Sequence, residues 1–299
     1  MNNIQLKPFI KWAGGKSQLL ESIRKKYPDK LGTDINKYAE PFVGGGAVLF
    51  DILSKYKLKS IYISDINCEL INTYKVIRDN IGDLILSLSN IEEQYLDADL
   101  EKRRLYYYEK RQRFNKLKAD NCPDNNIEKA ALFIFLNKTC FNGLYRVNKK
   151  GQFNVPMGSY KRPLICDAEN LRNISSALKD VVIVCADYKE SSEFIDENTF
   201  VYFDPPYRPL TDTAKFTAYS ENIFDDKSQK ELAGYIKLLD EKGARVIVSN
   251  SDPKNEIEND NFFDELYKEY KINRVQASRA ISCNGGSRGK INELLITNY

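Results

Sequence analysis

Tyr38-Ala39-Glu40-Pro41-Phe42-Val43-Gly44-Gly45-Gly46-Ala47-Val48-Leu49-Phe50 is the stretch that decides the fold. It runs from a short strand-forming segment through three glycines into an apolar, helix-forming one. Glycine at a strand-to-helix turn lets the chain reverse tightly and lets a ligand come close to the backbone. The helix that follows presents free N–H groups at its start. The spacing is not G-x-G-x-x-G, so the nicotinamide fingerprint does not match. Three glycines that merely close a turn are the plain alternative.

Working outward, further apolar runs rich in Val, Ile, Phe and Tyr are expected as buried strands: Ser60–Ile63, Val181–Cys185, Phe200–Phe203, Arg245–Val248 and Glu293–Thr297. Helical patterns lie between them, at Ala47–Tyr56, Cys68–Arg78, Ala168–Leu178 and Ser228–Lys242. Such alternation predicts an α/β protein with a mostly parallel sheet. It is interrupted by a long polar, helical stretch (Ile81–Ile91, Leu100–Lys118, Ile127–Cys140) that ends in a Gly-, Asn- and Lys-rich segment, 141–162. The division expected is a sheet domain of residues 1–78 and 164–299 with a second domain, 79–163, inserted into it. A helical elaboration of the sheet is the alternative.

Composition narrows the chemistry. The 299 residues include no histidine, which excludes Ser–His and Cys–His hydrolysis and any His-ligated metal. Six cysteines are scattered without metal-ligand spacing, so no metal site is expected, and they suggest a reducing cytosol; Cys185 is expected in the core. No apolar run approaches 18 residues and no signal peptide is evident, so a cytoplasmic protein without a membrane span is expected. A net charge of +3 says little; its distribution says more. Residues 101–118 carry eight basic and two acidic side chains, 148–162 four basic and none acidic, and 270–290 five basic and none acidic. Three such runs, two of them in loop-like sequence, favour a polyanion such as nucleic acid over three solvated faces.

Asp65 follows Gly46 by 19 residues, at the end of the second strand. An acid about 20 residues after a glycine turn can accept hydrogen bonds from the ribose hydroxyls of a nucleoside, although Asp is also a common helix cap. Phe200-Val201-Tyr202-Phe203-Asp204-Pro205-Pro206-Tyr207 is the sharpest signal. A buried strand delivers an acid, two prolines and an aromatic to the edge where open α/β sheets place ligands. The prolines remove two donors, so Asp204 and the Pro205 carbonyl offer acceptors for an exocyclic amine, and Tyr207 offers a stacking face. Trp12-Ala13-Gly14-Gly15-Lys16-Ser17-Gln18 suggests a phosphate loop, but the first glycine such a loop requires falls on Ile10, and no core strand precedes it.

Together PFIKWAGGK (8–16), EPFVGGGAVLF (40–50), SDIN (64–67), FVYFDPPY (200–207) and SRGKINELLITNY (287–299) resemble the Dam-type, alpha-class DNA adenine-N6 methyltransferases over nearly the whole chain. The resemblance implies a Rossmann-like S-adenosylmethionine-dependent methyltransferase sheet with an inserted, mainly helical DNA-recognition domain. It implies S-adenosyl-L-methionine as cofactor, held by Trp12, Lys16, Phe42, Gly44, Gly46, Asp65, Asp187 and Asp204. It implies a catalytic Asp204-Pro205-Pro206-Tyr207 and double-stranded DNA as partner. The segment 137–156 is similar to the family's DNA-reading hairpin, with Asn142, Leu144, Tyr145, Arg146, Asn148 and Asn154 as contacts and Arg146 as the reader of a guanine. The segment is close to that of members that modify GATC, some of which work beside a cognate restriction endonuclease. Two rivals stay open at this point: an amino-methyltransferase acting on RNA or a protein side chain, and a DNA-binding module without activity.

Overall fold

The computed structural model describes residues 5–209, 224–278 and 290–299, apart from 121, 123 and 125. A short helix α1 (Leu20–Arg24) leads to β1 (Lys37–Pro41), α2 (Ala47–Lys55), β2 (Ser60–Asp65) and α3 (Cys68–Asp79). Three longer helices follow: α4 (Ile81–Asp97), α5 (Leu100–Asp120) and α6 (Asn126–Thr139). The chain returns through α7 (Ala168–Ala177) to β3 (Val181–Cys185) and β4 (Thr199–Phe203), then α8 (Asp226–Glu241), β5 (Arg245–Ser251), α9 (Phe262–Leu266), β6 (Lys271–Ser278) and β7 (Lys290–Thr297).

The seven strands form one sheet in the order β3-β2-β1-β4-β5-β7-β6. The first five are parallel, and β7 enters antiparallel between β5 and β6. Alternate residues of each strand face opposite sides. Tyr38, Ile61, Ile63, Phe200, Tyr202 and Ile247 enter one apolar layer with α2, α3 and α7. Ala39, Tyr62, Val201, Phe203, Val246 and Val248 enter the other, beneath α8 and α9. Burial on both faces is why these strands appear in the sequence as unbroken apolar runs.

Helices α4–α6 pack on one another and, through α6, on α3. Their apolar side chains, Leu84, Tyr107, Phe114 and Phe135 among them, continue the first layer without a break. The inserted stretch therefore shares a core with the sheet.

Two expectations need correction. Lys271–Ser278, expected as loop-like basic sequence, is an edge strand; its polar alternation hides it because an edge strand needs little apolar cover. The rest of that basic run, 279–289, lies outside the described residues, as does the start of the SRGKINELLITNY segment. Cys185 is not a core thiol: it is half-buried and disulfide-bonded to Cys68, 117 residues earlier. Among the described residues no helix is long and apolar enough to cross a membrane.

A candidate active site at the carboxyl ends of the strands

A cavity of about 1230 Å³ opens above the carboxyl ends of β1, β2 and β4. The chain turn that follows β1 shapes its floor. Phe42 takes a left-handed conformation, φ 72°, which costs about 1–3 kcal/mol for a residue with a side chain. Its ring stacks on Tyr188 with centroids 5.3 Å apart. Gly44 and Gly45 lie beneath Trp12: a Cβ on Gly44 would meet the indole at 2.8 Å, and one on Gly45 would meet the Trp12 Cβ at 3.0 Å. Gly46, φ 71°, starts α2; a Cβ there would meet the Tyr74 hydroxyl at 2.5 Å. The glycines thus do more than close a turn, because the tryptophan of the N-terminal segment covers them.

Asp65 ends β2 and is tied to the glycine turn. Its Oδ2 accepts from the Gly44 amide at 3.1 Å and its Oδ1 from the Asn67 amide at 2.9 Å. Burial raises its carboxyl, with those amide bonds pulling the other way. Asn67, not Asp65, caps α3, accepting from the Leu70 amide at 3.0 Å. Asp187 stands exposed at the rim after β3 and accepts from the Lys189 amide at 3.0 Å.

Asp204 ends β4. Its Oδ1 accepts from the buried Lys16 Nζ at 2.7 Å and from Ser249 Oγ at 3.0 Å. Lys16 also donates to the Gly14 carbonyl at 3.0 Å and to the Tyr207 hydroxyl at 3.1 Å. Burial alone would lower the Lys16 pKa, but Asp204, Tyr207 and Glu293 together hold it above the usual lysine value. Pro205 is buried, whereas Pro206 and Tyr207 are exposed at the mouth. The Tyr207 hydroxyl points inward and donates to both oxygens of Glu293, at 3.0 and 2.9 Å. Behind the turn, Arg208 bridges Asp226 at 2.5 Å and Asp260 at 2.6 Å, pinning it to the start of α8.

The cavity wall thus brings together Trp12, Lys16, Phe42, Gly44, Gly46, Asp65, Asp187 and the 204–207 turn. The hairpin residues lie apart from this wall. Two bridges, Cys140–Met157 and Val147–Phe153, shape the hairpin. Arg146 is exposed and donates through Nε to Asn154 Oδ1 at 2.8 Å. Asn142 is exposed in a left-handed conformation, φ 55°. Asn148 bonds Gln152 across the tip at 3.2 Å. Leu144 and Tyr145 turn inward against the core. The Tyr145 hydroxyl accepts from Lys118 at 2.8 Å and donates to Glu69 at 3.2 Å.

The basic runs divide on inspection. In α5, Arg103 donates to three backbone carbonyls, Arg111 to Val155, Arg113 to Glu128 and Lys118 to Glu69. Half of that run thus serves internal structure, whereas Lys149, Lys150, Lys161 and Arg162 are exposed beside the hairpin.

Several residues escape a reading of the sequence. Asn137 clamps the N-terminal segment to the hairpin, bonding both the amide and carbonyl of Lys11 and the Gly143 carbonyl. Phe141 is 53% exposed on the hairpin. Ser249 and Glu293 are polar residues within apolar strands, a break in pattern that could have marked them.

Comparison with known proteins identifies the family. Residues 12–281 match the model of the D12 class N6 adenine-specific DNA methyltransferases. The chain is 49% identical to the Type II methyltransferase M.MjaIII of Methanocaldococcus jannaschii, over 99% of this chain and 100% of that one. It is 39% identical to the Type II methyltransferase M1.LlaDCHI of Lactococcus lactis subsp. cremoris, over 100% and 97%. It is 34% identical to the DNA adenine methylase of Escherichia coli, over 96% and 93%. With a glycine turn, an acid after β2 and Asp-Pro-Pro-Tyr after β4 opening onto one cavity, the chain belongs to the D12 class of N6 adenine-specific DNA methyltransferases.

Proposed function

We propose that this enzyme methylates N6 of adenine in duplex DNA, within GATC, using S-adenosyl-L-methionine and drawing the target base out of the helix. The observation that carries the reading is that Asp65 and Asp204 open onto the same cavity from strands β2 and β4, on either side of β1. One acid suits a nucleoside and the other an amine.

The cavity fits the cofactor. Asp65, already fixed by two amides, holds the ribose hydroxyls; Asp187 stands where the cofactor's adenine would reach the rim; Trp12 and Phe42 supply apolar walls over the glycine turn. The bound cofactor supplies a methyl group that its sulfonium makes electrophilic. The Asp204 carboxylate and the Pro205 carbonyl accept the two N6 hydrogens. They favour a tetrahedral nitrogen and stabilise the positive charge that grows there, at a site organised before reaction begins. Pro206 brings no competing donor. Lys16, Ser249 and the Arg208 bridges hold Asp204 and its turn in place, which is the positional part of the rate.

A base inside a duplex cannot reach Asp204. Flipping it costs a few kcal/mol, and stacking on the exposed Tyr207 ring offsets about 1–3 kcal/mol of that. Residues 79–163 serve as the target-recognition domain. Arg146, steadied by Asn154, reads a guanine, with Asn142, Leu144 and Asn148 beside it. Tyr145 supports them from within. The exposed lysines and arginine of 149–162 hold phosphates, and the Type II names of two relatives favour action beside a restriction endonuclease.

The test is methylation of plasmid DNA, followed by digestion with nucleases that adenine methylation in GATC either blocks or permits. Protection from the first and cleavage by the second is the expected result. Tritium transfer to adenine without either change sinks the GATC assignment, and transfer to RNA instead of duplex DNA sinks the substrate.

A further inference from the structure

We infer that Glu293 is a positioning residue for methyl transfer: it tethers the Tyr207 hydroxyl and supplies the counter-charge that lets Lys16 remain beside Asp204. The inference rests on the reading of Asp204 as acceptor of the target amine.

Glu293 lies on β7, opposite Ser251 of β5 and Val275 of β6. Its side chain is 4% exposed. A carboxylate buried to that degree needs partners, and both its oxygens take the Tyr207 hydroxyl, at 3.0 and 2.9 Å. That hydroxyl accepts from Lys16 Nζ at 3.1 Å, which sits 2.7 Å from Asp204 Oδ1. Glu293, Tyr207, Lys16 and Asp204 thus form one chain of contacts that joins the last strand, the turn after β4 and the N-terminal segment.

Two effects follow. Charge is the first. When positive charge grows on the amine at Asp204, the Lys16 ammonium is a like charge beside it, which opposes reaction. A second carboxylate restores the balance: two positive centres then face two negative ones. Orientation is the second. A phenylalanine at position 207 would stack on a base equally well; the hydroxyl anchors the far end of the ring, while the rest of the side chain stays open at the mouth, the residue being 39% exposed.

The experiment compares wild type with Glu293→Gln, Tyr207→Phe and the double variant. It measures kcat and KM on duplex DNA, affinity for S-adenosylhomocysteine by calorimetry, and melting temperature. Glu293→Gln removes the charge and keeps the shape. It is expected to lower kcat roughly 10- to 100-fold, less than the roughly 100- to 1,000-fold lost with a donor that touches the reacting atoms, because Glu293 acts through Lys16 and Tyr207; KM, ligand affinity and melting temperature stay near wild type. Tyr207→Phe is expected to show the same split, and the double variant to be no slower than the slower single, because both cut one chain. A Glu293→Gln enzyme with wild-type kcat overturns the inference. So do multiplicative losses in the double variant, or losses in kcat, KM and melting temperature together, which would mark a scaffold residue. If Glu293→Gln fails to fold, Tyr207→Phe decides alone, since it cuts the link without touching β7; unchanged kcat overturns the inference. An inactive wild type would sink the parent reading instead, so the two failures are distinct.

Discussion

Tyr145 lies over Trp12 with ring centroids 5.9 Å apart and planes 24° apart. One ring belongs to the hairpin and precedes Arg146; the other covers the glycine turn of the cavity. The hairpin is therefore stacked directly on the tryptophan that covers the glycine turn, and Lys118 and Glu69 fix the tyrosine from behind.

Tyr145→Leu should weaken binding of S-adenosylhomocysteine, because Trp12 loses its stacking partner, a contact of about 0.5–1.5 kcal/mol beyond the buried area. Tyr145→Phe keeps the ring and loses the two hydroxyl bonds, each about 1 kcal/mol; it should lower the melting temperature with ligand affinity near wild type. Calorimetry and thermal melts separate the two. Wild-type affinity in the leucine variant would show that the stack does not shape the pocket.

Asp204→Ala should abolish methyl transfer while duplex binding persists, since the hairpin and its exposed cations are untouched. Gel-shift assays and tritium transfer on the same samples read both. Turnover at the wild-type rate would remove Asp204 from the chemistry.

Arg146→Ala should relax sequence choice at a single base pair, by about 1–3 kcal/mol if the contact to guanine is bidentate. Methylation of duplexes altered one pair at a time gives the profile. A uniform loss across all sequences would mark Arg146 as a phosphate contact.

Glu40 ties stability to pH. Its buried carboxyl, which accepts from the Tyr38 hydroxyl at 2.7 Å, is pushed up to about 8 by burial, against that hydrogen bond. A folded value raised above the unfolded one means the fold favours the protonated form. This contribution is complete below about pH 4.5 and is lost as pH rises to about 8. Glu40→Gln should therefore gain stability relative to wild type across that window, by up to a few kcal/mol. Urea melts at pH 5, 7 and 9 test it, and a difference that does not change with pH would contradict it.

The sheet was legible in the sequence because inner strands buried on both faces must be apolar throughout, as Ile61–Ile63 and Phe200–Phe203 are; the edge strand Val181–Cys185 was legible because it is apolar all the same, even at the exposed Val182. The edge strand β6 was not, since half its surface meets water. Asp65 and Asp204 were legible because strand ends and glycine or proline turns mark them locally. Glu293 and Asn137 were not: their partners, Tyr207 and Lys11, lie 86 and 126 residues away. The basic run of α5 misled for the same reason, as Glu69 and Glu128, which engage Lys118 and Arg113, stand outside it.

The Cys68–Cys185 bond has a topological consequence. It makes residues 68–185 a covalent ring with the whole inserted stretch threaded along its circumference. A single backbone cut anywhere between 79 and 163 leaves the halves of the oxidised molecule joined as one particle, and only a reductant can part their chemical link. The ring closes between Asp65 and Asp187, so the knot that holds a nicked molecule together is tied at the rim of the cavity.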